Sequence, residues 1–493
     1  MKRVSLSIDA LIPFARLYNV ALRGVTFQKL RTEDGIDKGG AIVATERKQY
    51  GNEEPSENDV LIKVPSDMIL SLETVQERSK YDRHLHEVLE AVGDFGKTAR
   101  GAILVFLLIQ ISHSSPDLAG QKHTIGASNA WSEYVKFLPS SIPLPTFWTM
   151  EELELLRGTS LRLAYEAKIK SLEKELEHLR ETTEDIEWCR ELWWVEDTVT
   201  LEDWKYLDAV FRSRVLDLPW YGHAMVPCID MANHASDSTV NALYEKDHNG
   251  NAILQLRPRK NLRLDEEVTI SYGQDKAASE MVFSYGFLDS ERSDAKQMFF
   301  DLDIPEDDPL RMAKTAFCRG TPGLCISSKP TDSDGTQTYW ESPIVWWACV
   351  NEEDGLGIAV LQKNDGSKEL TVTWKTQEVK TPNHLKDVLA ADPLWDIFQL
   401  RAVVLVLERL ETQFFMLQTT ERMVSDIRQS DDMLAIFRPE VFNTVTKLRD
   451  LEGRLLETAI KDLEKQRDDL MMSESVRAYL SQQQSVEVED DFS

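Results

Sequence analysis

Two short segments place polar and aromatic residues where a buried strand would normally carry aliphatic ones. Val226–His234 is an apolar run that ends in an Asp and then an Asn-His pair. Glu267–Gly273 ends in Tyr-Gly, and Ser284–Phe287 carries a second Tyr-Gly. Such side chains can hydrogen bond to a ligand, or they can satisfy the backbone of a turn at a strand end. The residues alone leave both interpretations open.

The elements that must position these segments are short strands joined by turns. The turn residues His248–Asn251 predict an antiparallel hairpin between two of the strands. Gly39 and Gly40 precede another strand, and glycine there allows either a tight structural turn or a close backbone approach to a ligand. The strand patterns cover Gly40–Thr45, Val60–Val64, Met225–Ile229, Ala242–Tyr244, Ala252–Leu256 and Glu267–Tyr272.

Helical patterns surround these strands. Leu11–Leu22 reads as a helix, and the apolar run Ala102–Ile109 predicts a buried one, since a membrane span needs about 20 residues. From Thr149, leucines spaced by three, four or seven residues predict a long, solvent-rich helical insertion. We expect it to be a hairpin broken near Glu181–Glu184, with Trp188, Trp193 and Trp194 docking its far end.

In the last third of the chain, the predicted structure changes from a mixture of strands and other elements to helix. Ile344–Val350 and Glu369–Trp374 are β-like, whereas Leu385–Leu480 carries apolar residues at helical spacing. The acidic end, Ser485–Ser493, is predicted to be frayed.

Charge and cysteine content limit the partners. The 493 residues carry a net charge of -28, which repels phosphate backbones and favours basic partners, so direct nucleic-acid binding is not expected. Five cysteines without a CxxC pair indicate a reducing compartment and no structural zinc. Asp9 and Pro13 interrupt the apolar start of the chain, which makes it a poor signal peptide. We expect no membrane association, and the sequence indicates no oligomeric state.

Four motifs follow one another along the chain: Arg212-Ser213-Arg214, Asp230-Met231-Ala232-Asn233-His234, Ile270-Ser271-Tyr272-Gly273 and Ser284-Tyr285-Gly286-Phe287. In this order they closely resemble the SET methyltransferase family, and within it the split-SET branch of the Rubisco large-subunit and ribosomal-protein lysine methyltransferases. Trp131–Pro139 and Phe147–Thr159 resemble the inserted helical region of that branch. The chain from about Ala295 resembles its helical substrate-binding domain.

The resemblance implies an S-adenosylmethionine site with these residues: Gly39, Gly40, Ala41, Arg214, Asn233, His234, Tyr272 and Phe287. Arg214 would meet the carboxylate of the cofactor. Tyr272 and Tyr285 would be the catalytic residues, at the methyl-transfer centre and beside the acceptor channel. Leu216 and Asp230 would also line that channel, and no residue is assigned to a metal.

The sequence departs from the family at two of these positions. Gly39-Gly40-Ala41 stands where the family usually has Gly-x-Gly, so the extra methyl group of Ala41 changes a cofactor contact. Leu216 stands where relatives often have an aromatic residue, which predicts a wider acceptor channel.

The resemblance implies an α+β fold: a SET domain of short sheets with a knot-like cofactor site, a helical insertion and a mainly helical C-terminal domain. The predicted division places the N-terminal part of the SET domain at 1–125, the insertion at 126–205, the C-terminal catalytic part at 206–294 and a substrate-binding domain at 295–493.

The leading functional hypothesis is a protein-lysine N-methyltransferase that acts on a basic segment of a non-histone protein in the cytoplasm, the nucleus or both. Ribosomal or translation-related proteins are candidates because they are rich in lysine. A catalytically weak protein-interaction module and a histidine methyltransferase are the alternatives.

Overall fold

The computed structural model describes residues 1–31, 37–50, 57–118, 125–236, 238–273, 275–330, 336–362 and 368–481. Contacts divide the chain into two compact units. Unit 1 comprises Met1–Trp148, Tyr165–Gln274 and Phe283–Glu291, and unit 2 comprises Thr149–Ala164, Asp275–Val282 and the chain from Arg292 onward. The domain boundaries predicted at residues 125, 205 and 294 separate functional parts of the chain, whereas these two units are defined by contacts. The predicted boundaries therefore stay a prediction.

Unit 1 is built on small sheets. One joins, in order, Ala21–Leu22, Val60–Val64, Ala252–Leu256 and Ala242–Lys246, all antiparallel. Another joins Val25–Arg31, Asp37–Ala44, Glu267–Ile270 and Asn233–His234, and its last pair is parallel. Two-stranded pairs link Lys48–Gln49 with Asn261–Leu262 and Leu216–Leu218 with Gly222–Ala224. The hairpin predicted around His248–Asn251 is confirmed, and its second strand is buried at every position.

The helices of unit 1 are Leu11–Leu17, Leu72–Ser79, Arg83–Ala91, Ala99–Ser114, Ala130–Tyr134, Glu187–Cys189 and Leu201–Arg214. Ala99–Ser114 confirms the predicted buried helix, and the Thr98 side chain caps its start by accepting the Gly101 N–H at 3.0 Å. Ser160–Thr183 and Ala278–Tyr285 contribute residues to both units. Among the described helices, none combines the length and the apolar character needed to cross a membrane.

Two predicted helical features differ in extent. The first helix ends at Leu17 rather than Leu22, because Asn19 adopts a left-handed φ of 56° that breaks helical hydrogen bonding. The insertion helix ends at Thr183, within the predicted break. Trp194 then donates its indole N–H to the Thr183 hydroxyl at 3.0 Å, so tryptophan does dock this end of the helix.

The strand predicted at Met225–Ile229 is wrong. Met225 forms one isolated bridge with Leu70, and the chain then turns through Cys228 at a φ of 73° into a 3-10 helix, Ile229–Met231. Buried apolar residues produced the strand-like pattern, but they pack around a turn. That turn brings Asp230 and the Asn233–His234 strand into position.

Unit 2 is mainly helical. Its helices include Met150–Glu154, Arg311–Phe317, Pro343–Ala348, His384–Ala390, Trp395–Gln429, Asp431–Leu434 and Pro439–Met471. One antiparallel sheet contains Gln297–Phe300, Leu324–Pro330 and Thr336–Glu341, and a second contains Leu356–Gln362, Lys368–Trp374 and Gln377–Val379.

Three predictions for unit 2 have different outcomes. The helical character of Leu385–Leu480 and the strand near Glu369–Trp374 are confirmed. Ile344–Val350 is not β-structure, because Ser342 caps a helix that has Pro343 in its first turn. The predicted fraying of Ser485–Ser493 lies outside the described residues.

Candidate active site

The Asn-His pair lies on a short strand rather than in a strand-ending turn. Asn233 and His234 pair in parallel with Thr269 and Ile270. Asn241 fixes the partner strand, because its side chain donates to the Glu267 carbonyl and accepts the Thr269 N–H, each at 2.9 Å. This clamp places the Asn-His pair beside the start of the Tyr-Gly segment.

Both ring nitrogens of His234 are bound. Nδ1 accepts the backbone N–H of Tyr272 at 3.1 Å, and Nε2 lies 2.9 Å from a carboxylate oxygen of Asp289. An accepting Nδ1 has no proton, so Nε2 carries it and donates to Asp289. The imidazole is therefore held at a fixed orientation in one tautomer.

Three aromatic rings gather around this histidine. The His234 and Tyr272 rings are stacked, with centroids 5.2 Å apart, and Tyr272 and Tyr285 are 4.5 Å apart. Phe287 lies 6.1 Å from His234 and 6.5 Å from Tyr285. The structure thus brings together four of the predicted site residues from three separate motifs.

The Tyr272 hydroxyl hydrogen bonds to the backbone just before the Asn-His pair. It donates to the Ala232 carbonyl at 2.9 Å. Burial raises the pKa of Tyr272 above its usual range, although nearby Arg214 acts in the opposite direction. The phenol therefore stays protonated at neutral pH and serves as a hydrogen-bond donor.

Arg214 and Asp230 form a partly buried ion pair next to this cluster. Nη1 of Arg214 lies 3.3 Å from a carboxylate oxygen of Asp230 and 2.9 Å from its backbone carbonyl. Tyr134 donates to the other carboxylate oxygen, and its own oxygen accepts the Cys228 N–H at 3.0 Å. Burial raises the pKa of Asp230, and the hydrogen bonds from Arg214 and Tyr134 oppose that shift. The carboxyl of Asp230 thus fixes the orientation of the Arg214 guanidinium.

The glycine segment reaches the same turn. Gly39 has a φ of 82°, and a Cβ there would meet no atom of the described residues within 4 Å, so none of them fills the space beside it. A Cβ on Gly40 would lie 3.1 Å from Met231 Sδ, and Met231 in turn lies beside Arg214. Ala41 is fully buried, so its methyl group packs in the interior. The glycine segment and the ion pair therefore lie close together.

No protein-family model matches the chain. It is 28% identical over 446 residues to SET domain-containing protein 8 of Schizosaccharomyces pombe, a match that covers 88% of this chain and 93% of that protein. The Rubisco large-subunit N-methyltransferase of Pisum sativum is 26% identical over 193 residues, which span 37% of this chain and 38% of that enzyme. The crystal structure of the SET domain of LSMT bound to lysine and AdoHcy has a TM-score of 0.62 at 16% identity, covering 96% of this chain and 94% of that one. This chain has the SET-domain fold.

The SET fold confirms the predicted α+β class and the resemblance to Rubisco-type methyltransferases. One predicted channel residue, Leu216, pairs with Ala224 and belongs to the hydrophobic core of unit 1. Its assignment to a channel, like the role of Asp230 there, stays a prediction.

Asp289, Asn241 and Tyr134 help to hold the ring cluster and the ion pair, and the sequence did not predict these contacts. Asp289 binds His234 from 55 residues along the chain, and Tyr134 binds Asp230 from 96 residues away. Asn241 offered a signal, because it is a polar residue inside the apolar run Val240–Ala242 at the start of a strand. No group of acidic, histidine or cysteine side chains among the described residues is suited to hold a metal ion.

Proposed function

We propose that this chain is an S-adenosylmethionine-dependent protein-lysine N-methyltransferase that acts on a basic segment of a non-histone protein. The observation that carries this proposal is the fixed His234 ring, stacked on Tyr272 and continued by Tyr285 and Phe287. A rigid, largely apolar wall with a few directed polar groups suits a reaction that depends on alignment rather than on a strong base.

The chain's own residues fit the methyl donor. Arg214 uses only Nη1 in its contacts with described residues, which leaves Nη2 to bind a ligand carboxylate. Asn233 and His234 would hold the amino-acid end, the open space beside Gly39 would admit it, and Phe287 would pack at its edge. When bound, S-adenosylmethionine supplies an activated methyl group on a positively charged sulfur.

The tyrosines suit a lysine acceptor. A free lysine has a pKa of about 10.4 and must arrive neutral to attack a methyl group. A dry channel beside the paired rings of Tyr272 and Tyr285 would disfavour the ammonium form and so lower that pKa. Phenol oxygens can also restrict the rotation of the amine, because they accept or donate hydrogen bonds without a change of charge.

Charge supports a basic substrate. The net charge of -28 attracts lysine-rich proteins and repels nucleic acids, so ribosomal or translation-related proteins remain our candidates. All five cysteines are free, which suits the cytoplasm, the nucleus or both. Fluorescence microscopy of the tagged full chain tests this location.

The decisive experiment supplies methyl-labelled S-adenosylmethionine and the purified chain to an extract from cells that lack this protein. We expect discrete labelled protein bands, with the label on lysine when the peptides are analysed by mass spectrometry. Tyr272→Phe should reduce the labelling strongly, and equal labelling would contradict the role of Tyr272.

The alternatives give different results in the same assay. Label on histidine would identify a histidine methyltransferase. A chain that neither binds S-adenosylmethionine in calorimetry nor labels any band would be a protein-interaction module.

A further inference from the structure

A buried carboxylate organises three cations in unit 1. Asp208 is fully buried on the helix Leu201–Arg214. Its oxygens lie 2.6 Å from Arg100 Nη2, 3.4 Å from Lys168 Nζ and 2.7 Å from Arg212 Nε. Burial alone would raise the pKa of Asp208, but these three cations outweigh it and hold the pKa below its usual value. Asp208 is therefore ionised and fixes the direction of each cation.

Arg212 links Asp208 to Phe283, which directly precedes the second Tyr-Gly motif. While Nε binds Asp208, Nη1 donates to the backbone carbonyl of Phe283. The guanidinium also lies 4.4 Å from the centre of the Phe283 ring, and Nη2 lies 3.5 Å from the Thr146 hydroxyl. One planar group thus holds both the backbone and the ring of Phe283.

Tyr285 lies between two fixed points. Phe283 is held by Arg212 on one side, and on the other Gly286 packs against the Pro143 carbonyl so closely that a Cβ would lie 2.4 Å from it. The indole N–H of Trp148 donates to the same carbonyl at 3.1 Å, which fixes that contact surface. The position of the Tyr285 ring opposite Tyr272 therefore depends on both anchors.

We propose that Arg212, oriented by Asp208, is a positioning residue that sets Tyr285 against Tyr272 for methyl transfer. The inference rests on the proposed methyltransferase function, and it gives a task to the first arginine of the Arg212-Ser213-Arg214 motif. Arg214 belongs to the cofactor side, whereas Arg212 acts on the acceptor side through Phe283. Arg214 thus aligns the cofactor, and Arg212 aligns the acceptor.

The test compares Arg212→Lys with Arg100→Lys. Lysine at 212 keeps a positive charge for Asp208, but it has no planar fork to reach the Phe283 carbonyl as well. We expect kcat to fall about 10- to 100-fold, since small misplacements of reacting groups have effects of that size. The Kd for S-adenosylmethionine should stay within about twofold, and the ratio of mono-, di- and trimethylated product should change. Arg100→Lys keeps a positive charge beside Asp208, so Asp208 still orients Arg212, and it does not touch Phe283. It should lower the melting temperature and leave kcat and the product ratio unchanged.

The outcomes separate the two proposals. If the wild-type chain neither binds S-adenosylmethionine nor transfers methyl groups, the proposed function fails. If it is active but Arg212→Lys keeps the wild-type kcat and product ratio, the positioning role is overturned. Equal losses of kcat in Arg212→Lys and Arg100→Lys would also overturn it, because they would reflect general stability. If Arg212→Lys does not fold, Asp208→Asn replaces it, with the same split between kcat and Kd expected.

Discussion

The backbone N–H of Tyr272 donates to Nδ1 of His234 at 3.1 Å, and the two rings stack with centroids 5.2 Å apart. This one relationship joins the Asn-His motif to the first Tyr-Gly motif. Because Nδ1 accepts, the Nε2 proton is directed at Asp289, and the imidazole cannot rotate without losing both bonds. His234 therefore holds the Asn-His motif and the first Tyr-Gly motif in a fixed relative position.

Replacing His234 with Ala should reduce cofactor affinity at least about tenfold, or about 1.4 kcal/mol. The change removes the stacked ring and leaves the Tyr272 N–H without an acceptor, so the wall beside the ligand loosens. Calorimetric titration with S-adenosylmethionine measures this loss. His248→Ala, in an exposed turn, is the matched control and should bind as the wild type does. An unchanged Kd for His234→Ala would contradict our assignment of this residue.

Tyr272→Phe should lower kcat at least about tenfold and leave the shape of the pH profile unchanged between roughly pH 6 and 9.5. Burial raises the pKa of Tyr272 above its usual value of 10.0, so the phenol is protonated throughout that range. A raised pKa contributes stability that is present below pH 10.0 and is lost only as pH rises through the folded-state pKa. Initial rates across the range provide the measurement. The exposed Tyr81→Phe is the control, and loss of an ionisation from the Tyr272→Phe profile would show that Tyr272 titrates in the wild type.

Sequence patterns identified the motifs of this site, but not the contacts that hold them. The Asn-His and Tyr-Gly segments could be found because polar and aromatic residues stand in a recognisable order at the ends of apolar segments. Asp289 and Tyr134 could not, since each is an ordinary polar residue whose partner lies far away in the sequence. The role of Arg212 likewise depends on a carbonyl 71 residues away.

The errors in secondary structure have local physical causes. Ile344–Val350 contains β-branched and aromatic residues, whose strand preference is weaker than the start signal that Ser342 and Pro343 give to a helix. Met225–Ile229 is apolar because it is buried, and burial alone does not distinguish a strand from a turn. The positive φ of Cys228, which directs the chain into the site, leaves no mark in the residue type.

Gly286→Ala should destabilise unit 1 by about 2 to 4 kcal/mol. Gly286 has a φ of 82°, and an added Cβ would also lie 2.4 Å from the Pro143 carbonyl oxygen. Gly222→Ala separates the two effects, because Gly222 has a φ of 61° and no atom of the described residues lies within 4 Å of an added Cβ. It should show only the backbone effect of about 1 to 2 kcal/mol. Urea unfolding of both variants measures the two losses of unfolding free energy. Equal losses would mean that the Pro143 carbonyl moves aside at little energetic cost.

Glu452 is a buried carboxyl of unit 2 whose contribution to stability should fall as pH rises. Glu452 accepts the Ser160 N–H at 2.9 Å and the Ser160 hydroxyl at 2.5 Å. Burial raises its pKa to about 7, although the Ser160 bonds and Arg449 act in the opposite direction. Between the ordinary value of 4.5 and about 7 the folded chain binds more protons than the unfolded one, so the free energy of unfolding falls as pH rises.

Glu452→Gln removes this titration, and its stability relative to the wild type should therefore increase by up to about 3 kcal/mol between roughly pH 5 and 8. Most of the gain should appear below about pH 7, because the wild-type carboxyl is largely ionised above it. Chemical denaturation at a series of pH values measures the difference. Glu457→Gln is the control, because Glu457 is an exposed glutamate on the same helix that pairs with Lys461, and it should keep the wild-type pH dependence. Parallel stability curves for Glu452→Gln and the wild type would mean that Glu452 ionises in the folded chain as readily as it does in water.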